Sequence, residues 1–410
     1  MQFGVFKYRN FRFLWLGTTV SASGFTVGNV VMEWMIYHTT HAALLLTLFG
    51  VVEFVPMLMV GILAGAIVDR GDRRKLMIIS DLVRAGAMGT LAITVLFVGF
   101  ELFPVFVIVA VISVFGTIFE PAAGALLPSL INDEDLSNAN GFLEAGRTLA
   151  SMIGNPLGGI VIFLVGVASG LIYNSTTFAI SALAVGMLTI PSSIRKVHET
   201  TTEGSNKLLE EVKSGFTFLA SKKPLLIMTV ASIFLNFFSF YNMYMVVYVL
   251  DILHKGPAVF GIILGSSSIG YAVGGVLTGK LQLNKRPGIW VPFTWGLGGL
   301  PLIFLILIPV TTISIATMFF EGFLGGLVNT TFISEVQREV PNEFLGRYFT
   351  IEQTIGFSMV PLGITVGGLL ITGFGLGFSF MLAGTGTLII GFMLLLNRDI
   401  RGWGRKINSE

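Results

Sequence analysis

The sequence predicts an all-α protein crossing a membrane with twelve helices, arranged as two parallel-repeat halves of six. Three observations predict it: too little charge to cover a soluble surface, twelve long apolar stretches, and basic residues gathered at alternate junctions. Of 410 residues, 53% are hydrophobic and only 12% charged, and mean hydropathy is +0.84. That is about half the charge of an ordinary soluble chain, and the apolar excess excludes disorder. A net charge of +2 with no basic patch interleaved with aromatics excludes a nucleic-acid surface. Cysteine is absent, which removes disulfides, thiolate chemistry and Cys-ligated zinc. His38, His41, His198 and His254 fall in or near predicted loops and form no metal site.

A membrane-spanning helix needs about 20 mainly apolar residues. The stretches are 12–37, 43–68, 76–98, 103–130, 140–165, 168–190, 224–250, 258–282, 288–308, 312–337, 345–372 and 376–396, numbered here as helices 1 to 12. Such runs are too long, and alternate too little, for barrel strands. The first lacks a cleavage site and is too long for a signal peptide. Of the 25 basic residues, 22 fall on one set of junctions; only Lys255 falls on the other, and Arg84 and Arg147 lie within spans. Positive charge marks the cytoplasmic side. Both termini and the central segment are therefore placed in the cytoplasm, and the protein in the cell membrane.

The only long polar stretch, 191–223, divides a half over 1–190 from a half over 224–397; a cytoplasmic tail over 398–410 follows. Within it Leu208, Leu209, Val212, Phe216 and Leu219 recur at helical spacing, which predicts an amphipathic helix over 207–220 on the cytoplasmic face. The halves repeat. An offset of 209 residues aligns Gly61 with Gly270, Gly65 with Gly274, Gly89 with Gly298, Gly116 with Gly325, Gly154 with Gly363, Gly158 with Gly367, Gly159 with Gly368 and Gly166 with Gly375. A parallel repeat suits a transporter that rocks two halves about a midplane site. The Gly-xxx-Gly pairs 61/65, 154/158 and 270/274 let backbones approach closely, and are expected on a sliding face between the halves.

The segment Gly65-Ala-Ile-Val-Asp69-Arg70-Gly71-Asp72-Arg73-Arg74-Lys75 resembles the helix 2–3 loop of the major facilitator superfamily, with Asp72 at that pattern's second glycine. Gly274 to Lys280 is its weaker copy, with Thr278 at the position of Asp69. Phe119 to Leu130 and Val340 to Arg347 resemble the macrolide, siderophore and multidrug exporter branch. The resemblance covers essentially the whole chain and implies the major facilitator fold. In helix 5, Gly141, Ala150, Gly154, Asn155, Pro156, Gly158 and Gly159 resemble the small-residue pattern of proton-driven exporters; Asn155 takes the proline position and Pro156 follows, where it should kink or loosen the helix. The arginine that many relatives carry in helix 4 is absent. The family architecture further implies that Gly65, Asp69, Arg70, Arg73 and Arg74 form a conformational latch, with Asp69 at the positive N-terminal end of helix 11.

A charge at mid-bilayer costs at least about 2.5–3.5 kcal/mol and so faces a cavity or a partner. Glu33, Glu53, Glu120, Glu321 and Glu352 are the candidates for proton coupling. Asp81 with Arg84 and Glu144 with Arg147 are spaced as local pairs, and Glu335 is expected to reach cytoplasmic water. Asn29, Met32, Asn236, Tyr241, Asn242, Tyr244, Asn329 and Gln353 are candidates for lining a substrate cavity. Trp15, Trp290 and Trp403 read as interfacial anchors. There is no G-x4-G-K-[ST] loop, so ATP does not drive this chain; nor is there a catalytic constellation, and no cofactor is expected. The expectation is a monomeric secondary transporter whose partners are the bilayer, protons and a small amphipathic molecule, exported by alternating access against a proton gradient. A same-fold importer and a non-transporting sensor or assembly factor stay open as alternatives.

Overall fold

A computed structural model describes residues 3–189 and 217–404, with certain side chains, those of Arg347 and Gln353 among them, outside the description. The protein is helical because apolar segments in lipid must satisfy their own backbone groups. The helices are α1 (Arg9–Thr40), α2 (Ala43–Arg70), α3 (Arg73–Phe97), α4 (Leu102–Leu126), α5 (Leu136–Val165) and α6 (Val167–Gly186), then α7 (Lys223–Phe238), α8 (Pro257–Leu281), α9 (Pro287–Leu297, resumed over Leu300–Leu307) and α10 (Thr311–Glu339). The last pair is α11 (Asn342–Ser358, resumed from Val360) and α12, the part of Val360–Leu396 beyond Gly375. Among the described residues these form twelve helical stretches, consistent with the twelve the sequence predicts; ten helices, counting Val360–Leu396 as one, are long and apolar enough to cross a membrane, and three stretches are less regular than expected. Beyond α7 the chain makes a 3-10 turn over Ser239–Asn242, a short helix over Met245–Val247 and a π turn over Tyr248–Ile252. The α9 break falls at Gly298 and Gly299 just before Pro301, and the α11 break falls just before Pro361. Proline lacks the N–H that would continue the ladder.

Two compact units are present. One comprises Met1–Thr201 with Lys255–Gly265, the other Thr202–His254 with Ser266–Glu410. In the first, α1 packs on α5 and α6, α3 on α4 and α6, and α2 on α4; in the second, α7 packs on α11, and α9 on α10 and α12. The glycine register is structural as well as sequential. Gly166 between α5 and α6, and Gly375 between α11 and α12, share one left-handed conformation.

The glycine pairs lie elsewhere than on the expected sliding face. A Cβ on Gly154 would lie 2.9 Å from Thr26, and one on Gly158 2.9 Å from Val30, both on α1 of the same unit. Gly270 and Gly274 sit against the Phe319 and Phe323 backbone of α10, again within one unit. A Cβ on Gly61 would lie 3.9 Å from Thr117 on α4, and Gly65 faces open space. Gly154, Gly158, Gly270 and Gly274 serve close packing inside each unit, because only a bare Cα admits a neighbour so near.

One local expectation falls largely outside the described residues, and two are corrected. Of the helix expected over 207–220, residues up to 216, with Leu208, Leu209, Val212 and Phe216, lie outside the description; 217–221 is helical, with Leu219 buried and Phe218 stacked on Phe344 at 4.8 Å. Glu335 is buried rather than hydrated, paired with Arg338 at 3.1 Å. Trp15 and Trp403 are tied inward. Trp15 Nε1 donates to the Phe142 carbonyl at 2.8 Å, while buried Trp403 donates to Glu339 and packs on Phe332. Trp290 is partly exposed beside Phe293.

Candidate functional site

In the first unit, Asn29 on α1 and Glu53 on α2 meet. The Asn29 amide Nδ2 donates to Glu53 Oε1 at 2.9 Å. Ser113 on α4 donates to the backbone carbonyl of Glu53. Glu33 stands one turn beyond Asn29 on α1. In the second unit, Glu321 on α10 accepts two hydroxyls, Tyr241 beyond α7 at Oε1 and Ser267 on α8 at Oε2, both at 2.8 Å. The irregular backbone after α7 brings Tyr241 there. Among the described residues no ion pair includes Glu33, Glu53, Glu321 or Glu352.

Glu352 lies on α11 near Gly356, and Ser232 and Asn236 of α7 converge on the same glycine. Gln353 lies outside the described side chains. Glu120 differs from the other acids: it is half-exposed and paired with Arg147 of α5, which also holds Glu144 at 3.6 Å. The predicted Glu144–Arg147 pair is therefore a three-residue group. Asp81 and Arg84 pair as expected, almost fully buried, with the guanidinium 4.7 Å from the Phe119 ring centre and 4.4 Å from that of Phe178.

Of the cavity candidates, Met32 and Tyr244 are buried in the core, at odds with a place on a cavity wall. The Tyr244 hydroxyl donates to the Ile364 carbonyl at 2.8 Å. Asn242 turns back to the Ser239 carbonyl at 3.3 Å, closing its own turn. Asn329 donates to the Tyr271 hydroxyl at 2.6 Å.

The helix 5 residues lie on two faces. Ala150 is buried, and Gly154 and Gly158 back onto α1, whereas Gly159 and the Asn155 carbonyl meet Gly261, and Pro156 meets Gly265. The helix runs on through Pro156; Gly141 is half-buried near its start. At the α2–α3 junction, Asp72 is the N-cap of α3, accepting the Lys75 N–H, which explains its place in the loop. Arg73 donates to the Ala125 carbonyl at 2.7 Å at the end of α4, and Arg74 to the Val185 and Gly186 carbonyls at the end of α6. Cations at helix C-termini complement the dipole. Asp69 and Arg70 are exposed, and an acid at the C-terminal end of α2 is opposed by that helix's own dipole.

Sequence reasoning missed Ser113 and Ser267. The run Ser266-Ser267-Ser268 inside an apolar span was the available signal for the second; a lone serine in α4 offered none.

Residues 14–363 match the family description Major Facilitator Superfamily. The chain is 23% identical over 408 residues to macrolide efflux protein A of Streptococcus pyogenes, covering 96% of this chain and 98% of that protein. It is 22% identical over 395 residues to multidrug efflux pump Tap of Mycolicibacterium fortuitum, covering 94% of each. Among solved structures, the nucleoside transporter NupG superposes with a TM-score of 0.72 at 13% identity, over 94% of this chain and 98% of that one. A bacterial homolog of the human lysosomal transporter Spinster superposes with a TM-score of 0.71 at 13% identity, over 97% and 96%. With this helical pattern and a match spanning most of its length, the chain belongs to the Major Facilitator Superfamily and is a multi-pass membrane transporter.

Proposed function

We propose that this transporter exports amphipathic small molecules by alternating access, in exchange for protons, in the cell membrane with both termini in the cytoplasm. The observation that carries the reading is the pair of membrane carboxyls, Glu53 and Glu321, whose hydrogen-bond partners are all neutral. A carboxyl without a bound cation can take up a proton, or meet a cationic ligand, without first breaking an ion pair. Relatives named as efflux proteins over nearly the whole chain support the outward direction. In the same reading Asp69 serves a latch that closes the cytoplasmic side, while Arg73 and Arg74 hold the loop that presents it. The protein acts alone, needs no cofactor, and draws on the proton gradient.

The test uses everted membrane vesicles with an imposed pH gradient, acid inside, offered tetraphenylphosphonium, a macrolide and a siderophore. Gradient-dependent accumulation of at least one is expected, and is expected to collapse when the gradient is dissipated. No accumulation of any of the three overturns the reading.

A further inference from the structure

The two carboxyl sites are related by the repeat but are not copies. With the offset of 209 residues, α2 corresponds to α8 and α4 to α10. The first unit carries its acid on α2 and a serine, Ser113, on α4; the second carries a serine, Ser267, on α8 and its acid on α10. Acid and serine have changed places, and the partners changed with them. Glu53 receives one amide N–H, and the Ser113 hydroxyl goes to the Glu53 backbone rather than its carboxyl. Glu321 receives a hydroxyl on each oxygen.

The difference has chemical content. Two donors, one on each oxygen, stabilise the charged form of a carboxyl and fix its orientation. Each Glu321 oxygen has a lone pair beyond the one its hydroxyl donor takes, so a cation can bind without displacing either donor. The Tyr241 ring beside it is backed edge-on by buried Phe380, with centroids 6.3 Å apart, and is itself only part-buried, so apolar groups attached to that cation can lie against the Tyr241 ring. The charged or titratable group bearing on Glu321 among the described residues is Tyr241. At Glu53 one carboxylate oxygen has the Asn29 amide as its donor, and among the described residues no hydroxyl is bound to either. A proton arriving there has a free carboxylate oxygen to bind.

Building on the export reading above, we propose a division of labour: Glu321, oriented by the positioning residues Tyr241 and Ser267, binds the charged centre of an organic cation, and Glu53, held by the neutral Asn29 amide, carries the coupling proton. The exchange balances in charge, since one cation leaves as one proton enters.

The test uses the full chain, purified and reconstituted, with radiolabelled tetraphenylphosphonium as probe. Equilibrium binding is measured in detergent, and pH-gradient-driven accumulation in proteoliposomes. Glu321→Gln is expected to lower binding at least tenfold. Tyr241→Phe and Ser267→Ala, which keep the acid, are each expected to lower it about three- to tenfold, the worth of one hydrogen bond, with maximal turnover preserved. Ser267→Thr is expected to restore binding. Glu53→Gln is expected to bind the probe like the wild type and to lose gradient-driven accumulation while keeping probe–probe exchange. Wild-type binding in Glu321→Gln overturns the assignment, as does lost binding in Glu53→Gln. Unchanged binding in both Tyr241→Phe and Ser267→Ala overturns the positioning roles even if Glu321→Gln fails to fold. If the wild type binds through Glu321 but ignores the pH gradient, the proton-coupled reading fails while the cation site stands.

Discussion

Gly166 and Gly375 hold the same backbone conformation, φ 93° and ψ 171° against φ 84° and ψ 163°, at the two turns that close equivalent helix pairs. A Cβ at either would meet nothing within 4 Å, so the constraint is conformational and not spatial. Gly166→Ala and Gly375→Ala are each expected to lower stability by about 1–3 kcal/mol, the cost of forcing a side chain into a positive-φ, extended-ψ conformation that only glycine readily adopts. The two effects are expected to add, because the turns share no partners. Thermal unfolding of the purified protein, followed by tryptophan fluorescence, checks this; a penalty at one glycine only refutes the equivalence.

Arg84 is nearly buried, paired with Asp81 and held between two phenylalanine rings. Arg84→Ala strands a buried carboxylate, and about 3–5 kcal/mol of destabilisation is expected. Arg84→Lys keeps the charge but loses the planar face that stacks, and is expected to recover only part. The double variant Asp81→Asn/Arg84→Gln removes both charges and should be milder than Arg84→Ala alone. Thermal midpoints of the four proteins give the ranking.

Glu120 and Arg147 form a pair of opposite character, with side chains 53% and 47% exposed. Glu120→Gln is expected to change stability by no more than about 1 kcal/mol. A larger loss in the same thermal assay would show that Arg147 depends on Glu120 more than on Glu144.

The α2–α3 junction separates two roles. Arg74→Gln removes the donors to the Val185 and Gly186 carbonyls, and about 1.5–3 kcal/mol of stability is expected to go with them. Asp69 is exposed, so Asp69→Asn is expected to leave the thermal midpoint unchanged and to lower transport severalfold. Asp69→Asn with wild-type transport across a full substrate titration would remove it from the latch.

Tyr248 is fully buried, and its hydroxyl joins the Leu305 carbonyl at 2.9 Å and Ser314 at 2.8 Å. Tyr248→Phe leaves the Leu305 carbonyl without this donor, and a cost of about 1–3 kcal/mol is expected. Ser314 has an alternative acceptor in the Val310 carbonyl at 3.0 Å, so Ser314→Ala is expected to cost less. Denaturation midpoints of the two variants check the order.

Apolar length and basic-residue placement made twelve helices and their pairing into two similar sets legible, because lipid imposes both on the sequence directly. The acids that matter were legible as rarities in apolar runs. Their partners were not. Nothing in the sequence marks Ser113 as the donor to the Glu53 backbone, since that depends on how α2 and α4 lie against each other. Glycine spacing told where backbones approach, not which helix arrives: Gly154 and Gly158 could have faced any neighbour and face α1. The irregular stretch after Phe238 reads as uninterrupted span, yet tyrosine hydroxyls at 241, 244 and 248 reach side chains and carbonyls on other helices. Hydropathy registers Glu335 and Trp403 as a charge and an anchor, and is blind to their packing in one another's vicinity.

The residues that close the second unit's core come from its far end. Ile400 and Trp403 are buried together with Leu225 and Met228 from the start of α7. During vectorial synthesis that core has to wait, with the first turns of α7 lacking their partners until residue 403 has emerged from the ribosome. The core cluster of the first unit likewise joins its two ends, Val5 and Leu188, but every member of it is made before α7 begins. A chain ending anywhere in α12 therefore lacks Ile400 and Trp403 from the second unit's core, while every member of the first unit's cluster is already made.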